Sequence, residues 1–170
     1  KIEEAIANSD KNIKAIMPVD LFGLPARYRI IQDIAKKYDL KIIADAAQSF
    51  GASKDNKKVG TFGDITTTSF FPAKPLGCYG DGGAIFTDSD EYNKTLRSLA
   101  VHGKGADKYD NIRVGMNSRL DTIQAAILLE KLSIFSDEIN SRNKIADLYR
   151  EKLKDIPIIC QTIPQGYKSV

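Results

Sequence analysis

The chain has 170 residues, 42% of them hydrophobic and 28% charged, which is the composition of a globular protein with one substantial core. Its formal net charge is only +3 and its lysines and acids are interspersed, so neither nucleic acid nor an acidic membrane surface is indicated as a partner. No apolar run is long enough to span a bilayer. One histidine and two cysteines argue against a zinc site, so we predict no metal, and a reducing, cytoplasmic setting is the default expectation.

Both ends of the chain suggest a segment of a longer protein. The chain opens on a charged, helical stretch (residues 1–12) without a start methionine. It closes on residues 157–170, where the strand-like IPIIC is followed by turn residues that have no evident pairing partner. We therefore expect that parts of the complete fold lie outside these residues.

The first part of the chain carries a strand–helix–strand pattern. Residues 14–19 (KAIMPV) and 41–45 (KIIAD) are short apolar runs, as expected for buried strands. Between them, Pro25 suits the first position of a helix. The apolar residues of that helix recur at i, i+3, i+4 and i+7, namely Ile31, Ile34, Ala35 and Tyr38. This order and spacing predict a βαβ unit with parallel strands.

Asp45 ends the second of these strands, and Gln48 follows it in the loop DAAQSFGA. A carboxylate at this position lies at the carboxyl edge of the predicted sheet, where open α/β folds bind ligands. Alternatively, Asp45 only caps the turn that follows, which is a common role for aspartate. The spacing alone does not decide between the two roles.

The next elements complete the predicted sheet. Residues 65–71 (ITTTSFF) predict a third strand, and residues 82–87 predict a fourth that is close enough in sequence to return antiparallel. Asp88 resembles the N-cap of a helix, with an acid at the third helical position. A polar, glycine-containing loop is expected over residues 102–116, in which His102 has no evident partner for acid–base work.

Lys74 lies between the third and fourth strands, after Ser69 at the end of the third strand. Pro72 and Pro75 restrict the backbone on either side of the lysine, and four glycines follow it. One interpretation is an exposed lysine in an ordinary strand–loop–strand connection. The other is a lysine fixed in place to form a Schiff base with a carbonyl cofactor.

A long helix is expected to begin at Ser118 with Asp121 as its capping acid, followed by a more polar helix from 136 to 154. Asn117 and Arg119 bracket the predicted N-terminus, where backbone N–H groups and the helix dipole favour an anion. Alternatively, Arg119 is a surface charge that pairs with Asp121. Apolar residues cover most of the circumference of the first helix, so it is either deeply buried or lies between subunits: Ile123, Ala125, Ala126, Ile127, Leu128 and Leu129.

Three pieces of sequence occur in one order: DAAQ at 45–48, SFFPAK at 69–74 followed by GDGG, and GMNSR at 115–119. Together they resemble the DegT/DnrJ/EryC1/StrS family of sugar aminotransferases, which use pyridoxal 5′-phosphate (PLP) on the fold-type-I scaffold. The resemblance implies an α/β fold in which a mostly parallel, mixed sheet is flanked by helices. It also implies that residues 1–135 are the central part of the PLP-binding large domain. Residues 136–170 would be a helix and strand leading into a small C-terminal domain that is missing.

The same resemblance implies roles for the residues around the cofactor ring. Lys74 would form the Schiff base with PLP and move the proton between substrate carbon and cofactor carbon. Asp45 would keep the pyridine nitrogen protonated, and Gln48 would lie beside the ring near its O3′ oxygen. Each residue type suits its task, because a reactive amine, a permanent carboxylate and a hydrogen-bonding amide are the groups that this chemistry needs.

Two further residues are assigned to the phosphate by the resemblance. Ser69 would bind the phosphate of PLP, and Asn117 would reach the phosphate in the neighbouring subunit of a homodimer with shared active sites. We hypothesise in addition that Arg119, close to Asn117, contacts an anionic part of the sugar substrate, such as a uronate carboxylate, through a bidentate contact.

The activity implied is transfer of an amino group from glutamate to a nucleotide-linked keto sugar, with pyridoxamine phosphate as the intermediate form of the cofactor. The runs SFFPAKPLGCYGDGGAIFT and RVGMNSRLDTIQAAILL are most similar to enzymes that aminate C3 of a UDP-3-keto-2-acetamido-hexuronate in lipopolysaccharide (O-antigen or capsule) biosynthesis. An alternative is a 4-keto sugar aminotransferase. Family members that act at C4 more often carry patterns such as HxxKxxxxGEGG around the lysine. A PLP-dependent sugar dehydratase would have histidine instead of Lys74. A non-catalytic nucleotide-binding domain lacks support, because the glycines do not follow the strand–GxGxxG–helix pattern.

Overall fold

The structure is a computed structural model that describes residues 1–107 and 109–170. Besides a short 3₁₀ helix at Leu21–Gly23, it contains four α-helices and seven short strands over these residues. In chain order they are α1 (Ile2–Ala7), β1 (Ala15–Ile16), α2 (Tyr28–Lys37), β2 (Lys41–Asp45), β3 (Ser53–Lys54), β4 (Lys57–Lys58), β5 (Ile65–Ser69), β6 (Gly83–Phe86), α3 (Asp90–Leu99), α4 (Thr122–Leu153) and β7 (Tyr167–Lys168).

The central sheet has the strand order β1-β2-β5-β6. β1 pairs with β2 and β2 with β5 in parallel, whereas β6 returns antiparallel to β5. The predicted βαβ unit and the antiparallel fourth strand are therefore confirmed. Strand β1 is shorter than the predicted run 14–19, because Pro18 has no N–H to donate to the neighbouring strand. Beyond this proline, Val19 pairs with Asp45 through an isolated bridge.

One face of this sheet is packed and the other is half open, as the alternation of side chains along a strand allows. On the packed face, Ile42 and Ala44 of β2 contact Tyr28, Ile31 and Ala35 of α2. The side chains that alternate with the buried ones along β2 and β5 point to the opposite face and are only partly buried. That half-open face includes Ile43, Asp45, Ile65, Thr67 and Ser69.

Helix α2 begins at Tyr28, so the prediction that Pro25 takes the first helical position is wrong. Leu24, the residue before this proline, is extended (φ −108°, ψ 125°), as a residue before proline prefers. Asp20 then accepts a hydrogen bond from the Ala26 N–H, which ties the connecting segment to the end of β1 before the helix starts.

Helix α3 is capped one residue later than predicted. The Ser89 hydroxyl accepts a hydrogen bond from the Tyr92 N–H at 3.2 Å, so Ser89 is the N-cap and Asp88 lies outside the helix. Asp90 and Glu91 then occupy the first turn, where the helix dipole stabilises their negative charges. Serine and aspartate are equivalent N-cap signals, and the sequence does not distinguish two of them in succession.

Helix α4 runs without interruption over Thr122–Leu153, 32 residues or about 48 Å. It replaces the two predicted helices, since no glycine or proline occurs between its ends. The expected start at Ser118 is wrong: the Ser118 N–H donates to the Ala100 carbonyl, and the helix begins after Asp121. The division of the chain at 135 stays a prediction, because this helix crosses it. In the part of the chain that the structure describes, no helix combines the length and hydrophobicity needed to cross a membrane.

A small antiparallel sheet, with the order β4-β3-β7, was not predicted. Asp55 and Asn56 form the two-residue turn between β3 and β4, both with positive φ (47° and 63°), as a tight hairpin requires. Strand β7 brings the C-terminal residues onto this hairpin. Residues 156–160 (IPIIC) pair with no strand among the described residues, and the strand expected there stays a prediction.

Candidate functional site

The sheet register brings Asp45 and Ser69 to the same edge and the same face. Asp45 is paired with Thr67 across β2 and β5, and Ser69 lies two residues beyond Thr67. Because side chains alternate along a strand, all three side chains point to the half-open face. The carboxyl ends of two parallel strands therefore present a carboxylate and two hydroxyls together. This is the edge at which open α/β sheets bind ligands.

The carboxylate of Asp45 has two different environments for its two oxygens. Its Oδ1 accepts a hydrogen bond from the Ala47 N–H at 2.9 Å, so Asp45 does cap the turn that follows. Its Oδ2 has no hydrogen-bond or ion-pair partner among residues 1–107 and 109–170. The two alternatives left open by the sequence are therefore compatible, since one oxygen caps the turn and the other is available to a ligand.

Asp20, which no motif in the sequence singles out, stabilises the loops on both sides of this edge. Its carboxylate is fully buried and accepts from the Ala26 N–H (2.8 Å), the Tyr28 hydroxyl (2.9 Å) and the Ser49 hydroxyl (2.8 Å). The Asp20 N–H donates to the Asp45 carbonyl at 3.0 Å, so the two residues are neighbours across the sheet edge. Burial raises the pKa of the Asp20 carboxyl, and the nearby charge of Asp45 raises it further.

Gln48 is oriented by the 3₁₀ turn. Its Oε1 accepts a hydrogen bond from the Phe22 N–H at 2.8 Å, across 26 residues of chain. Phe22 has a left-handed backbone (φ 56°), which is unusual for an aromatic residue, and its ring is 71% exposed. Gln48 therefore links the loop after Asp45 to this turn. Its expected place beside the cofactor ring stays a prediction.

Lys74 lies in a tightly folded loop between β5 and β6. The loop closes on itself through hydrogen bonds from the Phe70 N–H to the Gly82 carbonyl and from the Cys78 N–H to the Phe70 carbonyl, both 2.8 Å. A Cβ atom added at Gly77 would lie 2.5 Å from the Pro72 carbonyl oxygen, so only glycine fits there. The side chain of Lys74 is half-buried, and in the described part of the chain its ammonium group has no hydrogen-bond or ion-pair partner.

This loop is anchored in a hydrophobic cluster that it shares with α4. Leu76 and Cys78 are 4% and 0% exposed and pack against Leu128, Phe135 and Ile139 of α4. Ser69, at the start of the loop, accepts a hydrogen bond from the Phe71 N–H at 3.2 Å. The loop is therefore fixed at both of its ends and along one side.

Asn117 and Arg119 are not at a helix N-terminus, contrary to the prediction. Asn117 forms an antiparallel bridge with Val101, five residues before α4 begins. Both side chains are exposed, and the Arg119 Nε donates to the Asn117 Oδ1 at 3.1 Å. The alternative ion pair between Arg119 and Asp121 is absent from the described residues. Nor does either side chain hydrogen-bond, within those residues, to the site residues at the sheet edge.

A groove of about 450 Å³ connects the half-open sheet face with the segment that carries Asn117 and Arg119. It is lined by Thr67 of β5, Ile85 of β6, Arg97 of α3 and Ser118, which lies between the two predicted site residues. His102, in contrast, is exposed and has a left-handed backbone (φ 58°), and its N–H donates to the Met116 carbonyl. Its position gives no support for a catalytic role.

Comparison with known proteins decides which family this arrangement represents. The family model described as the DegT/DnrJ/EryC1/StrS aminotransferase family matches residues 1–169. The chain belongs to this family. The resemblance found in the three sequence pieces is thus confirmed, and with it the predicted fold class, since the structural relatives below are aminotransferases of this family.

Relatives of the DegT/DnrJ/EryC1/StrS chain include several named sugar aminotransferases. The UDP-2-acetamido-2-deoxy-3-oxo-D-glucuronate aminotransferase of Pseudomonas aeruginosa is 54% identical over 145 residues, which are 85% of this chain and 40% of that protein. The dTDP-3-amino-3,6-dideoxy-alpha-D-galactopyranose transaminase of Aneurinibacillus thermoaerophilus is 46% identical over 155 residues, 91% of this chain and 42% of that protein. This chain therefore spans less than half the length of these relatives.

Solved structures of the DegT/DnrJ/EryC1/StrS family superpose closely on the chain. A family aminotransferase from Brucella abortus has a TM-score of 0.93 at 55% identity, over 99% of this chain and 45% of that one. DesV of S. venezuelae, solved in complex with a ketimine intermediate, has a TM-score of 0.90 at 34% identity, over 99% of this chain and 44% of that one. In these relatives the matched fold is therefore part of a chain more than twice as long.

Proposed function

We propose that the protein containing this chain is a PLP-dependent aminotransferase that transfers an amino group from glutamate to a nucleotide-linked keto sugar. The proposed substrate is a UDP-3-keto-2-acetamido-hexuronate, aminated at C3. The observation that carries the proposal is that Asp45 and Ser69 share one sheet edge, and that the loop leaving this edge carries the unpaired Lys74, in a family aminotransferase fold. The choice of sugar is supported by the relative from Pseudomonas aeruginosa, which is named for a UDP-linked 3-oxo-glucuronate.

The residues at the sheet edge fit PLP by their chemistry. The free Oδ2 of Asp45 suits a protonated pyridine nitrogen, the Ser69 hydroxyl suits a phosphate, and the Lys74 amine suits an aldehyde. PLP supplies an electron sink when it is bound, which makes a proton on the substrate carbon acidic. A relative from Bacillus subtilis, 38% identical, was solved with bound pyridoxamine phosphate, the form that a half-reaction leaves.

The chain's own groups then divide the work. Lys74 would be the residue that holds PLP, through Nζ, and the same atom would accept and return the proton that moves between substrate carbon and cofactor carbon. Asp45 would face the pyridine nitrogen with its free Oδ2, where a carboxylate favours a proton on that nitrogen. Gln48 would lie beside the ring, and its side-chain amide is held in place by the hydrogen bond that its Oε1 accepts from the Phe22 N–H. The tight loop around Lys74 limits the positions that Nζ can take.

We also propose a homodimer with shared active sites, in which Asn117 reaches the phosphate of the partner's cofactor and Arg119 contacts the uronate carboxylate of the sugar. Both side chains are exposed, which agrees with a role towards another subunit. The same holds for apolar residues of α4 that are half to three-quarters exposed, namely Ile123, Leu129, Leu132 and Ile134. Nucleic acid and membrane are not partners in this proposal.

A cytoplasmic role in lipopolysaccharide biosynthesis is the proposed cellular context. The free thiols of Cys78 and Cys160 agree with a reducing compartment. The domain division at residue 135 belongs to the proposal as well, with residues 136–170 leading towards a small C-terminal domain.

The test is to supply the full-length protein with PLP and glutamate and to offer a UDP-linked 3-keto-hexuronate beside UDP- and dTDP-linked 4-keto sugars. We expect 2-oxoglutarate and a 3-amino sugar from the 3-keto-hexuronate only. Amination of the 4-keto sugars alone would support the alternative regiochemistry. If PLP bound to the protein and no keto sugar were aminated, the aminotransferase proposal would be wrong.

A further inference from the structure

One stripe of α4 faces the loop that carries Lys74. Its members are spaced four or three residues apart, so they lie on one side of the helix. The apolar members pack under the loop, and the polar members lie among them. In order along the helix, the stripe consists of Gln124, Leu128, Lys131, Phe135, Ile139 and Arg142.

The polar members of the stripe bind the loop through its backbone. The Gln124 Oε1 accepts from the Tyr79 N–H at 2.8 Å, and the Lys131 ammonium donates to the Gly77 carbonyl. Arg142 donates to the Pro75 carbonyl at 3.4 Å. Three side chains of one helix thus bind backbone groups at alternate positions of the segment that directly follows Lys74.

The loop depends on these partners because of its own sequence. Pro72 and Pro75 have no N–H to donate, so two of its residues cannot contribute backbone hydrogen bonds as donors. Gly77 is a buried residue. A buried carbonyl oxygen needs a hydrogen-bond donor to avoid a large desolvation cost. Lys131 supplies that partner with a full positive charge, which makes the bond a strong one. The same ammonium lies 5.4 Å from the centroid of the Tyr79 ring.

We propose that Lys131 is a positioning residue for Lys74. It does not touch the reacting atoms; it fixes the backbone three residues after Lys74, and thereby the place from which Nζ reaches the cofactor. This inference rests on the proposed function, because it takes Lys74 as the lysine that binds PLP. Misplacement of a reacting group by a fraction of an ångström lowers the rate of the chemical step and leaves substrate binding largely intact.

The experiment compares four forms of the full-length protein: wild type, Lys131→Met, Lys131→Arg and Lys144→Met. Lys144 is an exposed lysine of the same helix outside the stripe, so Lys144→Met is the matched control. The first measurement is hydrogen exchange of the amides of Lys74 and of residues 76–79 in the cofactor-free protein. The second is the rate at which the cofactor-free protein takes up PLP, followed by absorbance over a range of pH. The third is the pair kcat and KM.

We expect Lys131→Met to raise the exchange rates in the loop roughly tenfold, the factor expected when a hydrogen bond to a charged group is lost. PLP uptake should slow, and kcat should fall about tenfold or more while KM stays within about twofold. Lys131→Arg should restore most of the loss, because a guanidinium can donate to the same carbonyl. Lys144→Met should behave as the wild type.

The proposal is overturned if the loop exchanges equally fast in Lys131→Met and Lys144→Met. It is also overturned if exchange rises while PLP uptake and kcat stay unchanged, since Lys131 would then only stabilise the fold. Failure of the proposed function gives a different result: the wild type would take up no PLP on Lys74, while the exchange measurement would still report whether Lys131 fixes the loop.

Discussion

Replacement of Asp20 tests how the loops beside the sheet edge are stabilised. The buried carboxylate accepts hydrogen bonds from Ala26, Tyr28 and Ser49. Asp20→Ala removes the acceptor for all three donors. Asp20→Asn keeps an oxygen for Ala26 and Tyr28, and its amide can donate to the Ser49 hydroxyl, which is able to accept. We therefore expect the first substitution to be severe and the second to be tolerated.

The magnitude follows from the burial of the donors. Tyr28 is 1% exposed and Ser49 is 0% exposed, so water cannot replace the lost acceptor without opening the structure. A buried donor left without a partner costs about 1–3 kcal/mol. With two fully buried donors and one partly buried, Asp20→Ala should lower the free energy of unfolding by roughly 3–5 kcal/mol. That is a large share of the total stability of a domain, which is about 5–15 kcal/mol. For Asp20→Asn we expect a change within roughly 1 kcal/mol.

The pKa of Asp20 gives this comparison a pH dependence. Burial raises the carboxyl pKa above its ordinary value of 3.8 in the folded chain. Because the folded state then holds the proton more tightly than the unfolded state, the contribution of Asp20 is fully present below pH 3.8 and is lost as the pH rises through the raised value. Asparagine does not titrate. The stability of Asp20→Asn relative to the wild type should therefore increase with pH over this window.

The assay is urea unfolding of the full-length protein and both variants, followed by circular dichroism at several pH values between 3.8 and neutrality. Equal losses for Asp20→Asn and Asp20→Ala would refute the reasoning, because the shape-conserving variant would then be no better than truncation. A loss below about 1 kcal/mol for Asp20→Ala would refute it as well, since the three donors would have found other partners.

Three further experiments with substituted proteins test the site. Asp45→Asn should still bind the cofactor but lower kcat by about 10²–10³, as expected for a central electrostatic partner, and near-normal turnover would reduce Asp45 to a turn cap. Gly77→Ala should cost about 1–3 kcal/mol by thermal unfolding, because its Cβ would lie 2.5 Å from the Pro72 carbonyl oxygen; an unchanged melting temperature would show that the loop is not tightly folded. Inactive Asn117→Ala chains mixed with inactive Lys74→Ala chains should regain activity in about half the sites of each mixed dimer, whereas a mixture that stays inactive after proven subunit exchange would place Asn117 in its own subunit's site.

The parts of the fold that follow local patterns could be predicted from the sequence. The apolar runs around 14–19 and 41–45, with the amphipathic helix between them, give the parallel βαβ unit. Asp45 and Ser69 follow as residues at strand ends, because the carboxyl edge of a parallel sheet is a property of topology alone. Exact element boundaries do not follow, as Pro25 and Ser89 illustrate, because several adjacent residues are equally good helix starts.

Features that depend on distant contacts could not be predicted. Asp20 is a single acid after an apolar run, and its importance comes from Tyr28 and Ser49, which reach it across 8 and 29 residues. Strand β7 pairs with β3 from the other end of the chain. The contact between Lys131 and Gly77 spans 54 residues, and a lysine on a long charged helix otherwise suggests only a solvated surface. In each case the signal lies in tertiary packing.

The central claim, that Lys74 is the lysine that binds the cofactor of an aminotransferase, has one direct test. The full-length protein is incubated with PLP and treated with borohydride, which makes a lysine-bound cofactor permanent, and its peptides are then examined by mass spectrometry. Lys74→Ala is treated in parallel. The account predicts a pyridoxyl group on Lys74, its loss when glutamate is added before the borohydride, and no label in the variant. A label on another lysine, or an equal label in Lys74→Ala, would contradict it.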